Sequence, residues 1–467
     1  MNLRRAATLA ACAVLAACGP TDAPPRQDPA PAAAPKPVPP KPAPPATPPS
    51  APKHRLTIVF MGEERGRLEP CGCSPGMQGG LARRPARIAA SVEPGVPMAI
   101  VCGGPLVAGT GDYDRLRMRV ILRSLGAMGC AAFAPTRGDL AAGPTALEEM
   151  AKEAGVPVVC SNLVHPAADI GRRIRLPTGD VEAYVSGICG ASADNQFAGA
   201  YPTAALRTLR ETCGTAPLVV FADVNETAAR VLASETTGPT LLLYVGGRTD
   251  PRDEDVIQGG VAIAPLPSRG KFVGFAHLDG EAASAKWTVE YRPVVTELPQ
   301  DAEIVRLHAE HLEEMRAAGI VTGASRDARF AVVPVPAFGE RYAGSDACAE
   351  CHEEATRTWK ASKHTSALGS LRATGDDADP DCVRCHVVGY GTGIGFDGTS
   401  ATSGLGDVGC EACHGPRAGH AEARNRSERD PAAPTAGVAS CLPCHDTEHS
   451  ADFEFRTHWP RIVHGGK

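Results

Sequence analysis

The chain has 467 residues, 43% of them hydrophobic and 4% aromatic, which predicts two or more domains with ordinary apolar cores. Its formal net charge of -6, with no basic tract, argues against nucleic acid or an anionic membrane surface as a charge-matched partner.

Residues 1–17 read as an export signal: Arg4 and Arg5 precede the apolar run Ala6 to Ala17, too short to span a bilayer as a stable helix. The run ends in Leu15-Ala16-Ala17-Cys18, which resembles the bacterial lipobox. That resemblance implies cleavage before Cys18 and acylation of its thiol. Several acyl chains, at about 0.8 kcal/mol per buried methylene, make a stable anchor where one alone would be marginal. Gly19 rather than Asp in the following position implies the outer membrane of a Gram-negative-type envelope, facing the periplasm or the cell surface. In the rest of segment 18–53, Gly19 to Lys53 carries 15 Pro in 35 residues with no apolar periodicity. This is a linker favouring extended polyproline II, with a reach of on the order of 100 Å.

Folded structure is expected over 54–295. Buried-strand runs occur at Leu56 to Met61, Met98 to Cys102, Val156 to Cys160, Leu218 to Phe221 and Leu241 to Val245. Helical patterns alternate with them at Leu81 to Ser91, Tyr113 to Met128, Ala146 to Ala154 and Glu226 to Ser234. Three strands then follow without helices, at Val261 to Pro265, Phe272 to His277 and Lys286 to Val295. The pattern predicts an α/β layered sandwich, sheets covered by helices.

The element order, with the strand-loop Met61-Gly62-Glu63-Glu64-Arg65-Gly66-Arg67-Leu68, resembles the metallophosphatase (calcineurin-like) domain of the 5'-nucleotidase family, which includes the thiosulfohydrolases. The resemblance implies two metals at strand ends, about 3.5–4 Å apart, held by Asp-x-His, Gly-Asp, Asn-His-Glu and Gly-His-x-His segments. This chain departs from each. Glu63 and Arg65 stand at the Asp-x-His, Gly104 at the bridging Asp, Arg137-Gly138-Asp139 at the Asn-His-Glu, and Gly247-Arg248-Thr249-Asp250 at the Gly-His-x-His. The remaining His-bearing loop offers Asp223. Guanidinium charge or a missing side chain at ligand positions leads us to expect a non-hydrolytic relative used for docking or ligand sensing. Residual metallophosphatase or thiosulfohydrolase activity is the alternative.

The loop Leu68-Glu69-Pro70-Cys71-Gly72-Cys73-Ser74, followed by Gly79-Gly80-Leu81-Ala82-Arg83-Arg84, resembles a subgroup in which this domain is fused to a multihaem cytochrome. Cys71 and Cys73 are a candidate thiol site for a soft metal, a sulfur species or a redox-active disulfide; a structural disulfide to another Cys remains open. Segment 296–340 is expected to connect the domains. It comprises an amphipathic helix over Asp301 to Gly319, with His308 and His311 on a solvated face, and an extended arm over Phe330 to Gly339.

Segment 341–467 holds four Cys-x-x-Cys-His motifs: Cys348/Cys351/His352, Cys382/Cys385/His386, Cys410/Cys413/His414 and Cys441/Cys444/His445. Two thiols about one helical turn apart can both form thioethers to one porphyrin, and the next His then sits under the iron. Four covalent c-type haems are expected. Outside these motifs, Cys12 and Cys18, seven Cys remain: Cys71, Cys73, Cys102, Cys130, Cys160, Cys189 and Cys213. Cys102, Cys160 and Cys189 end apolar runs and read as inert buried thiols.

The segments Gly344 to His352, Trp359 to His364, Cys385 to Gly391, Gly409 to Pro416 and Trp459 to Gly465 resemble the cytochrome c-554 family. The resemblance implies a mostly helical and irregular multihaem cytochrome c domain doing electron transfer outside the cytoplasm. Its irons would be mostly bis-histidine, with one left open in the nitrifier relative. By the same match His364, His420 and His464 are the expected sixth ligands, with His449 a weaker fourth and His458 a surface or propionate-contacting residue. Spacing adds two restrictions. His449 lies one helical turn beyond His445 and cannot readily sandwich the same iron, and His364 is about 18 Å of helix from His352. The Gly389 to Gly395 glycines are expected to admit a porphyrin face close to the backbone. The whole predicts a lipid-anchored electron-transfer protein, passing electrons to other redox proteins of a respiratory or extracytoplasmic chain. The competing class is a haem oxidoreductase acting on a small nitrogen or sulfur compound at an open iron.

Overall fold

The computed structural model describes residues 55–70, 77–164, 170–190, 199–246, 256–258, 260–280, 285–334, 337, 340–423, 425, 436–446, 449–450 and 452–465. Cys18 and the linker, Cys71 and Cys73, and the Gly247-Arg248-Thr249-Asp250 segment lie outside them. Residues Pro52–Lys467 belong to one compact unit.

Strand β1 (Leu56–Gly62) is buried along its whole length, and the strand period of two splits its side chains between two cores. Val59 and Met61 pack with helix α1 (Arg84–Ala89) and strand β2 (Met98–Gly103), and with helix α2 (Asp112–Ala127), strand β3 (Cys130–Ala134), helix α3 (Arg137–Ala141) and helix α4 (Pro144–Glu153). Ile58 and Phe60 face a second sheet, packing against Val219, Phe221, Leu241 and Leu243.

That second sheet comprises strands β4 (Ile174–Arg175) and β5 (Tyr184–Ile188), then helix α5 (Pro202–Cys213), strand β6 (Leu218–Ala222), helix α6 (Glu226–Ser234), and strands β7 (Thr240–Tyr244), β8 (Val256–Gln258) and β9 (Val261–Pro265). Its order is β4-β5-β6-β7-β9-β8, parallel from β5 to β9 with antiparallel edges. The first sheet is closed by strands β10 (Phe272–Asp279) and β11 (Lys286–Pro293), in the order β11-β10-β1-β2-β3. Helices α5 and α6 cover the outer face of the second sheet through Leu206, Leu209, Ala229 and Leu232. The result is the expected helix-covered, two-sheet α/β sandwich.

Some expectations need correction. The Val156 to Cys160 run is not a strand: Val158 bridges Phe133 and Val159 bridges Gly171 for one residue each. Instead, the Ala-rich β3 and the Ser- and Gly-containing β5 fill sheet positions that their side chains did not advertise. Helix α7 (Ala302–Ala317), N-capped by Asp301, buries Ile304 and Leu307 in the sandwich core. Its His311 is 1% exposed rather than solvated, because α7 lies against α2.

Beyond helix α8 (Ile320–Ala324), Phe330 ends a short 3-10 turn instead of starting an extended arm. Its ring is 5.2 Å from Tyr113 and 6.2 Å from Tyr390, edge-on and tilted respectively. Tyr113, Leu312, Met315 and Phe330 share a core with Leu368, Leu371, Val383, Val388 and Tyr390 of the C-terminal region. The sandwich therefore supplies apolar surface that the aromatic-poor C-terminal segment lacks. The close approach served by the Gly389 to Gly395 glycines is to the chain itself. A Cβ on Gly391 (φ +81) would meet the Phe330-Ala331 backbone, and one on Gly395 the backbone of Gly389.

Candidate haem-binding region and the sheet-end site

The C-terminal region continues as helices α9 (Ser345–Ala349), α10 (Glu353–Lys360), α11 (Ala367–Thr374), α12 (Pro380–His386), α13 (Cys410–His414), α14 (Ala418–Glu422), α15 (Val438–Cys441) and α16 (Phe455–His458). Each motif lies on one helical turn. Helices α12 and α13 contain the second and third motifs whole; in the first and fourth, His352 N donates to Cys348 O at 3.0 Å and His445 N to Cys441 O at 2.9 Å. The turn puts both thiols on one side, with the His immediately after them.

Burial differs among the eight expected haem-attaching thiols. Cys351 is exposed, whereas Cys348, Cys382, Cys385, Cys410, Cys413, Cys441 and Cys444 are partly buried. The physical reason is its position: Cys351 lies just past α9, a five-residue helix that buries none of its own side chains, and the adjoining His352 is exposed as well. Its place beside Cys348 is still set by the turn, since Cys351 N donates to Cys348 O at 3.3 Å.

Thiols of different motifs meet. The Cys348 thiol lies within electrostatic range of Cys410, that of Cys385 of Cys444, and that of Cys413 of Cys441. The motifs are thus neighbours in the order first, third, fourth, second. Glu411, inside the third motif, is 2% exposed, and its carboxylate accepts from Ala343 N, Gly344 N and Arg417 N at 2.7–3.0 Å. This clamp between the first and third motifs was missed in the sequence, where Glu411 is merely a spacer residue.

The imidazoles come together from distant segments. His352 faces His420 with ring centroids 6.2 Å apart, His445 faces His364 at 6.3 Å, and His414 faces His464 at 5.9 Å. A metal–imidazole bond of about 2 Å on each side, plus about 1 Å from nitrogen to ring centre, sets two axial imidazoles about 6 Å apart. Orientation agrees with this spacing. His386 Nδ1 is 2.8 Å from Ala367 O and His464 Nδ1 is 2.9 Å from Ile462 O. A carbonyl only accepts, so Nδ1 carries the proton and Nε2 presents its lone pair, as a metal-binding imidazole requires. The donor set fits c-type haem.

His449 is 8% exposed; its Nδ1 bonds the Asp446 carboxylate at 2.8 Å, and its Nε2 is buried without a hydrogen-bond partner. His458 is half-buried and stacks on Phe453, centroids 5.2 Å apart. Burial, and to a lesser extent the charge of His445, push the His364 pKa down, keeping the ring neutral.

At the sheet ends a different chemistry holds. Glu63 and Arg65 both take left-handed backbone (φ 48 and 50) and pair with each other at 3.3 Å. Glu64 makes a fully buried pair with Arg84, Nη1 to Oε1 being 2.7 Å. A Cβ at Gly104 would collide with the Asp139 carboxylate, so no bridging Asp fits there. Asp139 accepts from Leu106 N (2.7 Å), Thr136 N (2.8 Å) and Thr136 Oγ1 (2.7 Å), and burial pushes its pKa up to about 6. Arg137 Nε donates to Asp223 at 2.8 Å. The carboxylates at these strand ends are therefore engaged by Arg or backbone. No group of three or more His, Cys, Asp or Glu that could hold a metal ion occurs among the described residues.

Residues 347–415 match the family profile described as cytochrome c554 and c-prime. Cytochrome c-554 of Nitrosomonas europaea is 37% identical over 90 residues, covering 16% of this chain and 38% of the relative. Solved structures similar to this chain include the Thermus thermophilus sulfate thiohydrolase SoxB, with TM-score 0.48 and 14% identity over 57% of this chain and 62% of that one. A 5'-nucleotidase precursor, also from Thermus thermophilus, gives TM-score 0.47 and 16% identity over 68% of each chain. The calcineurin-like phosphoesterase YfkN of Bacillus subtilis gives 0.45 and 14%, over 57% of this chain and all of that one. The chain thus joins a sandwich similar to 5'-nucleotidases and calcineurin-like phosphoesterases to a segment similar to cytochrome c-554.

Proposed function

We propose that the C-terminal region is a tetrahaem c-type electron-transfer module. The observation that carries this reading is the meeting of three motif imidazoles with three imidazoles from elsewhere in the region, at centroid separations of 5.9–6.3 Å. Haem, when bound, supplies a one-electron ferric/ferrous couple. The thiols of each motif would attach it, and His352, His386, His414 and His445 would hold the irons. His420, His464 and His364 stand opposite the first, third and fourth of these. His449, its Nδ1 held by Asp446, is the remaining candidate ligand.

Each pair joins segments far apart in sequence, so ligation interlocks the region into one unit. Thiol contacts support a relay through the first, third, fourth and second motifs in that order. The first and second motifs are the two ends of that relay, where a redox partner would exchange electrons. Helices α9, α15 and α16 bury no side chains of their own, which is the packing expected of elements whose core is the cofactor.

The sandwich is read as a non-hydrolytic domain for docking or ligand sensing, from the Arg137–Asp223 and Arg84–Glu64 pairs and the blocked Gly104. The chain would be exported and lipid-anchored at Cys18, exchanging electrons with redox proteins of the cell envelope; no helix among the described residues is long and apolar enough to cross a membrane.

Low-temperature paramagnetic resonance on wild type and on His364→Met, His420→Met and His464→Met tests the axial pairs. Each substitution should convert one low-spin bis-histidine signal; a variant that leaves every signal unchanged removes its residue from the ligand set. A high-spin ferric signal in the wild type that binds cyanide would favour the oxidoreductase reading.

A further inference from the structure

Between the sheets' carboxyl ends, two cysteines read as inert from the sequence meet. Cys160 and Cys189, 1% and 0% exposed, have sulfurs 3.6 Å apart. Outside the Cys-x-x-Cys-His motifs this is the one thiol–thiol hydrogen bond among the described residues. Cys102 and Cys130 turn instead to the carbonyls of Gly103 and Ala132.

A single side chain fixes the pair. Asn162 Oδ1 accepts from Cys189 N at 2.9 Å and from the Cys160 thiol at 3.4 Å. Its Nδ2 donates to Cys189 O at 2.9 Å and Ala200 O at 3.1 Å. The backbone is registered as well, because Ser161 N donates to Gly187 O at 2.8 Å. Both Cys are therefore held by β5 and its neighbouring segment, and not merely by their own rotamers. A disulfide needs sulfurs about 2 Å apart, so closing the pair takes a shift of about 1.6 Å, within reach of a side-chain rotation.

We propose that Cys160 and Cys189 form an oxidisable dithiol, closing to a disulfide that ties the 158–164 segment to the end of β5. The two S–H bonds break and one S–S bond forms; two protons and two electrons leave. A disulfide oxidant accepts them by exchange through a mixed disulfide and departs as two thiols. The thiol–thiol hydrogen bond lowers the pKa of Cys160. Only the supply of oxidant rests on the proposed exported location; the pair itself does not. The bond lies beside the Arg137–Asp223 contact, since a Cβ on Gly190 would meet both the Asp223 carbonyl and the Arg137 guanidinium.

The full-length holoprotein, unfolded in N-ethylmaleimide and digested, provides the test. After incubation with oxidised glutathione, the peptides carrying Cys160 and Cys189 should be joined, two hydrogens lighter and unlabelled, and reduction should make both reactive. Independent labelling of both after oxidation, or a linked peptide joining either to Cys102, Cys130 or Cys213, overturns the proposal. As a second readout, reductant should lower the unfolding midpoint of the oxidised wild type and leave that of Cys160→Ser/Cys189→Ser unchanged. Equal shifts in both overturn it too.

Discussion

Arg117 is the most informative single perturbation, because it crosses from the sandwich to the second motif. It projects from α2, and its guanidinium pairs with the Asp379 carboxylate and the Gly66 carbonyl and lies 3.4 Å from Asp381. Tyr113 OH donates to the same two carboxylates at 3.0 and 2.9 Å. The Arg117 and Asp379 side chains are 5% and 8% exposed, so solvent screens the pair little. Arg117→Met removes the cation and leaves a buried carboxylate uncompensated, a loss of about 3–5 kcal/mol. At roughly 2 °C per kcal/mol for a unit of this size, the unfolding midpoint should fall by about 6–10 °C.

Adding Asp379→Asn should recover at least half of the loss. Asn retains the acceptor that caps α12 through Asp381 N, while the unpaired charge disappears. The assay is denaturant unfolding of the holoprotein, followed by far-UV circular dichroism and haem absorbance. Arg117→Met within about 1 kcal/mol of wild type, or a double variant no better than the single, would refute the argument that this pair couples the two halves.

Two other outcomes are expected. Burial raises the Asp139 pKa to about 6, above its ordinary 3.8, so the folded state holds that proton more tightly than the unfolded chain. Its contribution is then present below about pH 4 and lost as pH rises through 6, by about 3 kcal/mol. Asp139→Asn should flatten this slope in pH-dependent unfolding; an unchanged slope assigns it elsewhere. Cys18→Ala should move the protein from the membrane to the soluble fraction, since it removes the expected acylation site; unchanged fractionation points to another attachment.

The parts of the fold legible in the sequence were those with local signals. Strands β1, β2, β6, β7 and β9 are runs of Val, Ile, Leu and Phe buried on both faces, and α2 carries an amphipathic period over 16 residues. Strand β3, Cys-Ala-Ala-Phe-Ala, is placed by its neighbours and not by propensity, which hid it. His311 looked solvated because its α7 neighbours are charged; only the docking of α7 on α2 buries it.

The four motifs were visible as strings, since one helical turn fixes the geometry of their thiols. Their unequal burial was not, because Cys351 differs from the other seven thiols only in what packs around its turn. Which imidazole faces which was hidden too. The sequence spacing only excluded His364 for the first iron and His449 for the fourth, whereas the meetings of His352 with His420 and His445 with His364 depend on the chain path between them. The Cys160–Cys189 contact was hidden for the same reason, 29 residues separating two thiols that Asn162 brings together.

The central claim is that every motif carries covalent haem, and the intact mass of the denatured mature chain tests it most directly. Thioether bonds survive denaturation, so the mass beyond that of the mature chain and its Cys18 lipid should be four haem groups, with no species carrying fewer. A chain carrying three or fewer, or one whose haem is lost on denaturation, would contradict the account.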